Sequence, residues 1–286
     1  MQAELLQEEW SEALSALFRG ASKNVLIASP FVTRRGINLL VENLSESVRD
    51  GGNVQVLVNL SPQNIIQGSV DPASLRHFFN AISAPSLYHL PRLHAKVYVA
   101  DTAEAIVTSG NLTAGGLDHN FECGICTSDK TAIAVLRNDL EEYAELGARI
   151  SEEELDSYSQ AAEKVRDTFR RQQQSTQEAA RKSFERAFEE ANKELIRFRL
   201  KGRSTNDTFA RTILYLLRKK GPMATEELHP HIQRIHPDLC DDSVDRVIEG
   251  QNYGKRWKHR VRAAQSSLKQ KGDIKLSEGK WRLKSD

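Results

Sequence analysis

Apolar residues recur along the first half of the chain in two alternating periods. Leu5, Leu6, Trp10, Leu14, Leu17 and Phe18 fall at helical spacing, and the nearly unbroken run "NVLIASPFV" has the length and branched content of a buried strand. "GINLLVENLSESVRDGG" predicts a helix stopped by glycine, and "NVQVLVNL" a second buried strand. "LHAKVYVA", "AEAIVTSG" and "FECGICTS" are short strands parted by turn residues, and "TAIAVLRNDLEEYAELG" is a closing helix. Strands interleaved with helices over residues 1–150 predict a layered α/β domain.

The pattern changes over residues 151–206. The first fifty of these contain neither Pro nor Gly, and their apolar positions at 155, 158, 162, 165 and 169, then 184, 188, 191, 195 and 198, form two short heptad seams. The gap between the seams holds the polar "RRQQQSTQ", where the helix either turns back or slips register. Two outcomes stay open: a pair of helices packed on the first domain, or a dimerising helical linker. Gly202 and a Ser-Thr-Asn-Asp cluster then break the helix and cap the next one. Residues 207–286 predict helices at "TFARTILYLLRKKG", "TEELHPHIQRIH", "DDSVDRVIEG" and "KRWKHRVRAAQSSLKQKG". A hairpin, "DIKLSEGKWRL", follows with Ser-Glu-Gly as its turn, so the expected pattern is a winged helix.

Charge sharpens this division. The whole chain is nearly neutral at +1, yet residues 1–200 carry 21 Lys and Arg against 28 Asp and Glu, while residues 201–286 carry 19 against 11. A basic end on an acidic body suggests that this end meets a polyanion. Segment 255–271 concentrates it, with seven Lys and Arg and no acid. Lys255, Arg256, Lys258, Arg260, Arg262 and Lys269 are candidate phosphate contacts, and Gln265 a candidate contact to base edges. Trp257 and Trp281 are expected in the core rather than as stacking platforms.

Three cysteines are too few and too odd for a disulfide framework. Cys123 and Cys126 form a CxxC inside an apolar run, where buried packing is expected. "HPHIQRIHPDLC" lacks a standard ligand spacing, so no metal and no cofactor is assigned, and its residues are expected in solvated helix and loop. No apolar run approaches the roughly 18 residues that span a bilayer, and the N-terminal segment is acidic and amphipathic rather than a leader. A soluble, cytoplasmic protein with no membrane partner is the expectation.

The chemistry is concentrated in "LHAKVYVADTAEAIVTSGNLT". Residues two apart on a strand share a face, so His94 and Lys96 project together, as do Ser109 and Asn111 on the next strand. If the strands are neighbours, a cation, two neutral polar groups and an imidazole converge. Such a set can neutralise phosphate oxygens while a nitrogen attacks phosphorus.

In order and spacing, His94, Lys96 and Asp101, followed by Ser109 and Asn111, resemble the signature of the phospholipase D superfamily. Thr108 stands where that family carries Gly, and "NFECGI" resembles the strand after the motif. The resemblance covers about residues 1–150 and implies a phospholipase-D-like fold. It implies His94 as nucleophile or general acid, and Lys96 and Asn111 on the non-bridging oxygens. Ser109 would support the phosphate or the imidazole, Glu122 would fix the imidazole tautomer, and Asp101 would brace the strand turn. The family's site uses two histidines, and this chain has a single H-x-K. A homodimer sharing one site is therefore expected.

The last 75 or so residues, around "WKHRVRAAQSSLKQKGDI" and "GKWRL", resemble the winged-helix module of Mrr-type restriction proteins. Together the two resemblances imply a metal-independent nuclease acting on DNA in restriction or phage defence, with a helicase or other defence protein as a further partner. An inactive DNA-binding scaffold is the alternative, and a phospholipid hydrolase is third.

Overall fold

The structure, a computed structural model, describes residues 3–7, 9–173, 178–200 and 203–284. The chain divides into two compact units, residues 1–198 and 199–286.

The first unit is built on an eight-stranded sheet. Its strands are β1 (Ala3–Leu6), β2 (Asn24–Ala28), β3 (Asn53–Val58), β4 (Pro85–His89), β5 (Val97–Ala100), β6 (Glu104–Thr108), β7 (Gly124–Thr127) and β8 (Ala148–Ile150), in the order β1-β7-β6-β5-β2-β3-β4-β8. β2, β3 and β4 run parallel, and every other pair is antiparallel. Helices α1 (Trp10–Gly20), α2 (Arg34–Asn43), α3 (Glu46–Gly51), α4 (Pro62–Ile66) and α5 (Pro72–Ala81) fill the connections as far as β4. Helix α6 (Lys130–Leu146) packs on β2, β5 and β8.

Burial on both sides explains the continuous apolar runs. Val25 and Ile27 join the core that α1 and α2 cover, while Leu26, between them, is also buried and points the other way. The first four-residue strand departs from the helical expectation for the N-terminus. Ala3–Leu6 pairs with β7 as an edge strand, and the helix starts only at Trp10.

Helices α7 (Glu152–Gln173) and α8 (Glu178–Leu200) carry the two heptad seams. They lie side by side in opposite directions, with Phe169 5.5 Å from Phe184 between ring centres and Lys164 3.1 Å from Glu190. The expected turn or slip at 174–177 lies outside the described residues, as does Gly202. Leu155, Tyr158, Ala162, Val165, Ala191 and Leu195 are buried in the same core as the sheet, and α7 packs on α4 and α5. The unit boundary thus falls inside residues 151–206, and α7 with α8 up to residue 198 packs into the first unit, one of the two outcomes left open by the sequence.

The second unit packs α9 (Thr205–Lys220), α10 (Thr225–Ile235) and α11 (Arg256–Lys271) against one another. Hairpin β11 (Ile274–Ser277) and β12 (Lys280–Leu283) lies on α11 and α9. Ser204 and Asp207 form the capping box expected from the Ser-Thr-Asn-Asp cluster. Phe209, Ile213, Leu228, Trp257, Val261 and Trp281 make the core, so both tryptophans are buried as expected.

The helix expected at "DDSVDRVIEG" is absent. Asp245–Ile248 is strand β9, paired with β10 (Gln251–Lys255) around a two-residue Glu249-Gly250 turn with φ of 50° and 81°. The terminal hairpin turns on the same dipeptide, Glu278-Gly279, again with both φ positive. That geometry matches the right-handed twist of the strands it joins, and glycine at the second position accepts it without strain.

Candidate active site and candidate nucleic-acid face

His94 and Lys96 occupy the extended segment leading into β5, at the end of the sheet where the parallel strands β2 to β4 finish. The register of β5, β6 and β7 explains how the motif comes together. The Thr108 amide donates to the Lys96 carbonyl at 3.1 Å, and the Ser109 amide donates to the Cys123 carbonyl at 3.0 Å. Residues before β5, after β6 and before β7 are therefore neighbours across three strands.

The His94 imidazole is exposed while Lys96 is buried. The Lys96 Nζ lies 3.2 Å from Nδ1 and 3.4 Å from Nε2 of His94, and donates to the His94 carbonyl at 3.1 Å. Burial pulls the Lys96 ammonium below its usual range, and the negative field of Glu122 opposes that shift.

Glu122 is not tied to His94, however, and the expected pairing needs correction. One carboxylate oxygen accepts from the Ser109 hydroxyl, and the other accepts from Asn120 Nδ2 at 3.1 Å. Ser109 in turn accepts from the Cys123 amide at 3.0 Å. The expected support of the imidazole is replaced by a Ser109–Glu122–Asn120 chain that holds a negative charge near Lys96. Asn120 is the residue that sequence alone missed. It follows the short π-helical turn Gly115–His119, and its only signal was an amide two residues before an acid.

Asn111 leaves its side-chain oxygen buried with no hydrogen-bond partner among the described residues. Its backbone packs so closely on Gly116 that a Cβ there would lie 2.4 Å from the Asn111 carbonyl. Glycine at 116 is what allows the turn to seat Asn111.

Asp101 stands at the β5–β6 turn with φ 52°. Its carboxylate accepts from the amides of Ser22, Lys23 and Asn24 at 2.7, 2.9 and 2.7 Å, and from the Ser22 hydroxyl at 2.9 Å. Burial alone would raise its pKa, and these donors outweigh burial and hold it low. It is a brace for the strand turn, at the opposite end of β5 from His94.

Thr108 fits the position where the resembling family has Gly because the opposing residue is Gly124. A Cβ on Gly124 would lie 2.8 Å from the Thr108 Cβ and from the Trp10 ring. The Thr108 hydroxyl accepts from the Gly110 amide at 3.0 Å and donates to the Cys123 carbonyl at 3.3 Å, knitting the same two strands.

The CxxC splits in environment. Cys126 donates to Glu104 at 2.9 Å, and burial, aided by that carboxylate, pushes its thiol up to about 12. Cys123 is exposed, against the expectation of buried packing.

In the second unit the basic segment 255–271 comprises the whole of α11 and the residue before it, and its side chains divide by partner. Arg256, Arg262 and Lys269 are exposed. Lys255 pairs with Asp245 at 2.8 Å, and that bond holds its ammonium above the usual range. Arg260 donates to the Thr205 hydroxyl at 2.8 Å, and Lys258 lies 5.6 Å over the Trp257 ring.

Gln265 is a correction. It is 2% exposed and hydrogen-bonds the Thr225 hydroxyl, so it is an inward-facing core polar group rather than a base reader. His229 and His236, expected in solvated helix and loop, are both buried. His236 bonds Arg199 through Nδ1 and Thr212 through Nε2, each at 2.6 Å. Since arginine can only donate, the ring is neutral with its proton on Nε2. Burial, then the Arg199 charge, drives its pKa well below the ordinary value.

Residues 14–144 match the family model described as "Cardiolipin synthase, PLD-like domain". Over those residues the first unit is similar to a phospholipase-D-like domain, and the match takes in the strands and polar residues of the motif. A curated relative, the DISARM protein DrmC of Bacillus paralicheniformis, is 26% identical over 124 residues, which is 42% of this chain and 50% of that protein. The chain spans about half the length of that relative. Among solved structures, NucT from Helicobacter pylori is 17% identical with a TM-score of 0.42, covering 51% of this chain and 97% of that one. Nuc from Salmonella typhimurium is 15% identical with a TM-score of 0.41, covering 52% and 95%. No described helix is long and apolar enough to cross a membrane.

Proposed function

We propose that this protein is a metal-independent phosphodiesterase that cleaves DNA through a covalent phosphohistidine on His94, in a restriction or phage-defence role. The observation that carries this reading is the exposed His94 ring held against the buried Lys96 ammonium, with both ring nitrogens within 3.4 Å of Nζ. A phosphate entering there meets a nucleophile and a fixed cation in one step. The His94 nitrogen attacks phosphorus, and the P–O bond to the leaving sugar oxygen breaks. Lys96 and Asn111 take up charge on the non-bridging oxygens. The Ser109–Glu122–Asn120 chain keeps Lys96 protonated against the pull of burial.

The leaving oxygen needs a proton donor, and the same histidine of a second copy is the group this chain can supply. That second imidazole then takes a proton from water as the water attacks the phosphohistidine and the P–N bond breaks. An exposed apolar row supports such pairing. Leu5, Ile125 and Val107 lie in register across β1, β7 and β6, and Phe121, beside Glu122, is fully exposed.

DNA as substrate is supported by the basic exposed face of α11 and by the helices and terminal hairpin that frame it, which we read as a winged helix-turn-helix module. The similarity to the DISARM protein DrmC supports the defence role, and a helicase or other defence protein is the partner class that such a role implies.

The decisive experiment is incubation of wild type and His94→Ala with plasmid and single-stranded DNA in EDTA. Cleavage by wild type alone supports the reading. Binding without cleavage by either would favour a scaffold that uses the phospholipase-D-like fold only to dimerise. Ile125→Glu should yield a monomer by sedimentation that cleaves nothing, and a cleaving monomer would refute the shared site.

A further inference from the structure

A second basic feature lies in the first unit, away from the histidine. Between the end of α4 and the last turns of α7 is a cleft of about 380 Å³, within the range of small-ligand sites. Its walls are of two kinds. Ile65, Val70 and Phe169 form an apolar side, while Gln67, Arg166 and Arg170 offer donors. The two arginines are four apart and share one face of α7.

Arg166 also lines a neighbouring hollow of about 200 Å³ beside α5, so the guanidinium lies between two openings. It has no ion pair or hydrogen bond among the described residues, and its Nε is buried without a partner. Asp71, the one acid at the cleft, is occupied in capping α5, accepting from the Ala73 amide and the Ser74 hydroxyl. A half-buried guanidinium without an anion, next to a second arginine and a phenyl ring, has the donors and the flat surface that a nucleotide needs.

The cleft's position ties it to the motif. Val70 bridges to Val32, and Val32 bridges to Leu112, the residue after Asn111. Two strand spacings amount to about 10 Å, so the cleft floor and the motif share one edge of the sheet.

We infer that this cleft holds one unpaired nucleotide of a single strand, its phosphate on Arg166 and Arg170 and its base against Phe169. A base still stacked and paired in a duplex presents no face to a phenyl wall, whereas a single strand does. The inference rests on the proposed nuclease function for the identity of the polymer, and it assigns single-stranded nucleic acid as the form held at this edge.

The test uses the full chain carrying His94→Ala, so that nothing is cleaved, and fluorescence anisotropy of a labelled oligo-dT of about a dozen nucleotides. Adding Arg166→Ala and Arg170→Ala should weaken binding about tenfold and reduce the salt slope by about 0.7, the worth of one phosphate. Affinity for a duplex should not change. Arg170→Ala alone, at an exposed position, should give part of the loss with the fold intact. Unchanged oligo-dT affinity would overturn the inference, as would an equal loss on duplex. Losses confined to free dTMP or inorganic phosphate, or to anionic phospholipid vesicles, would overturn it in favour of a soluble anion or a lipid headgroup. If wild type cleaves no DNA while the arginine pair still sets oligo-dT affinity, the nuclease proposal fails and the cleft assignment stands. If wild type cleaves and the arginines do not matter, only the cleft assignment fails.

Discussion

The end of the sheet near His94 and the exposed face of α11 both hold clusters of cationic and polar residues, but they are organised differently. Around His94 the positions are fixed by backbone pairing across three strands, and each side chain has a place that register dictates. On α11 the residue types are those expected of a nucleic-acid face, but the helix rotates each one to its own environment. Lys255 is tied to Asp245, Arg260 to Thr205 and Gln265 to Thr225, leaving Arg256, Arg262 and Lys269 outward. Spacing on strands specifies a site, whereas composition on a helix specifies only a region.

That contrast can be broken experimentally, and the largest effect belongs to the strand site. His94→Ala should lower cleavage by about 10⁴-fold or more with DNA binding retained, measured as nicking rate beside equilibrium binding. Lys96→Met should cost about 10² to 10³ in rate, since it removes a positioned donor to the phosphate. Lys96 should also set an alkaline limit. Its depressed pKa means that activity falls at a lower pH than an ordinary lysine would allow, visible in a pH–rate profile.

On α11 the effects should be smaller and divided by partner. Arg262→Ala and Lys269→Ala should each reduce the salt slope of duplex binding by about 1 without relaxing sequence preference. Gln265→Ala should leave the salt slope alone and cost about 1 kcal/mol of stability in chemical unfolding, because it removes a buried hydrogen bond to the Thr225 hydroxyl, which keeps the Trp281 indole N–H as a donor. Equal effects from all three would erase the distinction.

The smallest effect is pH-linked. His236 and His229 both have folded pKa values below 6.5, His229 through burial and then the charges of Lys258 and Arg262. The unfolded chain gains their protons before the folded one does. Stability of the second unit should therefore be full above pH 6.5. It should fall as pH drops from there toward the folded values, by at most about 1.4 kcal/mol per pH unit for each ring. His236→Gln should remove one ring's share of that slope in denaturant titrations at a series of pH values.

Much of the first unit was legible because its strands are apolar on both faces and its polar residues interrupt them at fixed offsets. Val25, Ile27, Val54 and Val56 leave few alternatives to a buried sheet. Four features, besides the exposure of Cys123 and the burial of His229 and His236, were not legible. Ala3–Leu6 is too short for alternation to show, and Leu5 and Leu6 happen to continue the spacing of α1. "DRVIEGQNYGK" held branched residues around Glu249-Gly250, a hairpin signal overridden by the helical look of its neighbours. Gln265 points inward because Val261, Ala264 and Leu268 set the buried face of α11, and a polar residue on that stripe must find a partner there. The Glu122 partnership depends on Asn120, delivered by a π-helical turn that no periodicity announces.

The strand order has a consequence for synthesis. β1 closes the edge next to β7, so Leu6 must wait for Gly124, about 120 residues later, before either strand is paired there. At ribosomal rates of about 5–20 residues per second, that is a delay of roughly 6 to 24 s. Ser109, Glu122 and Cys123 join beside that same strand, so the emerging chain holds its histidine and lysine for roughly 1 to 6 s before the residues that complete their surroundings exist.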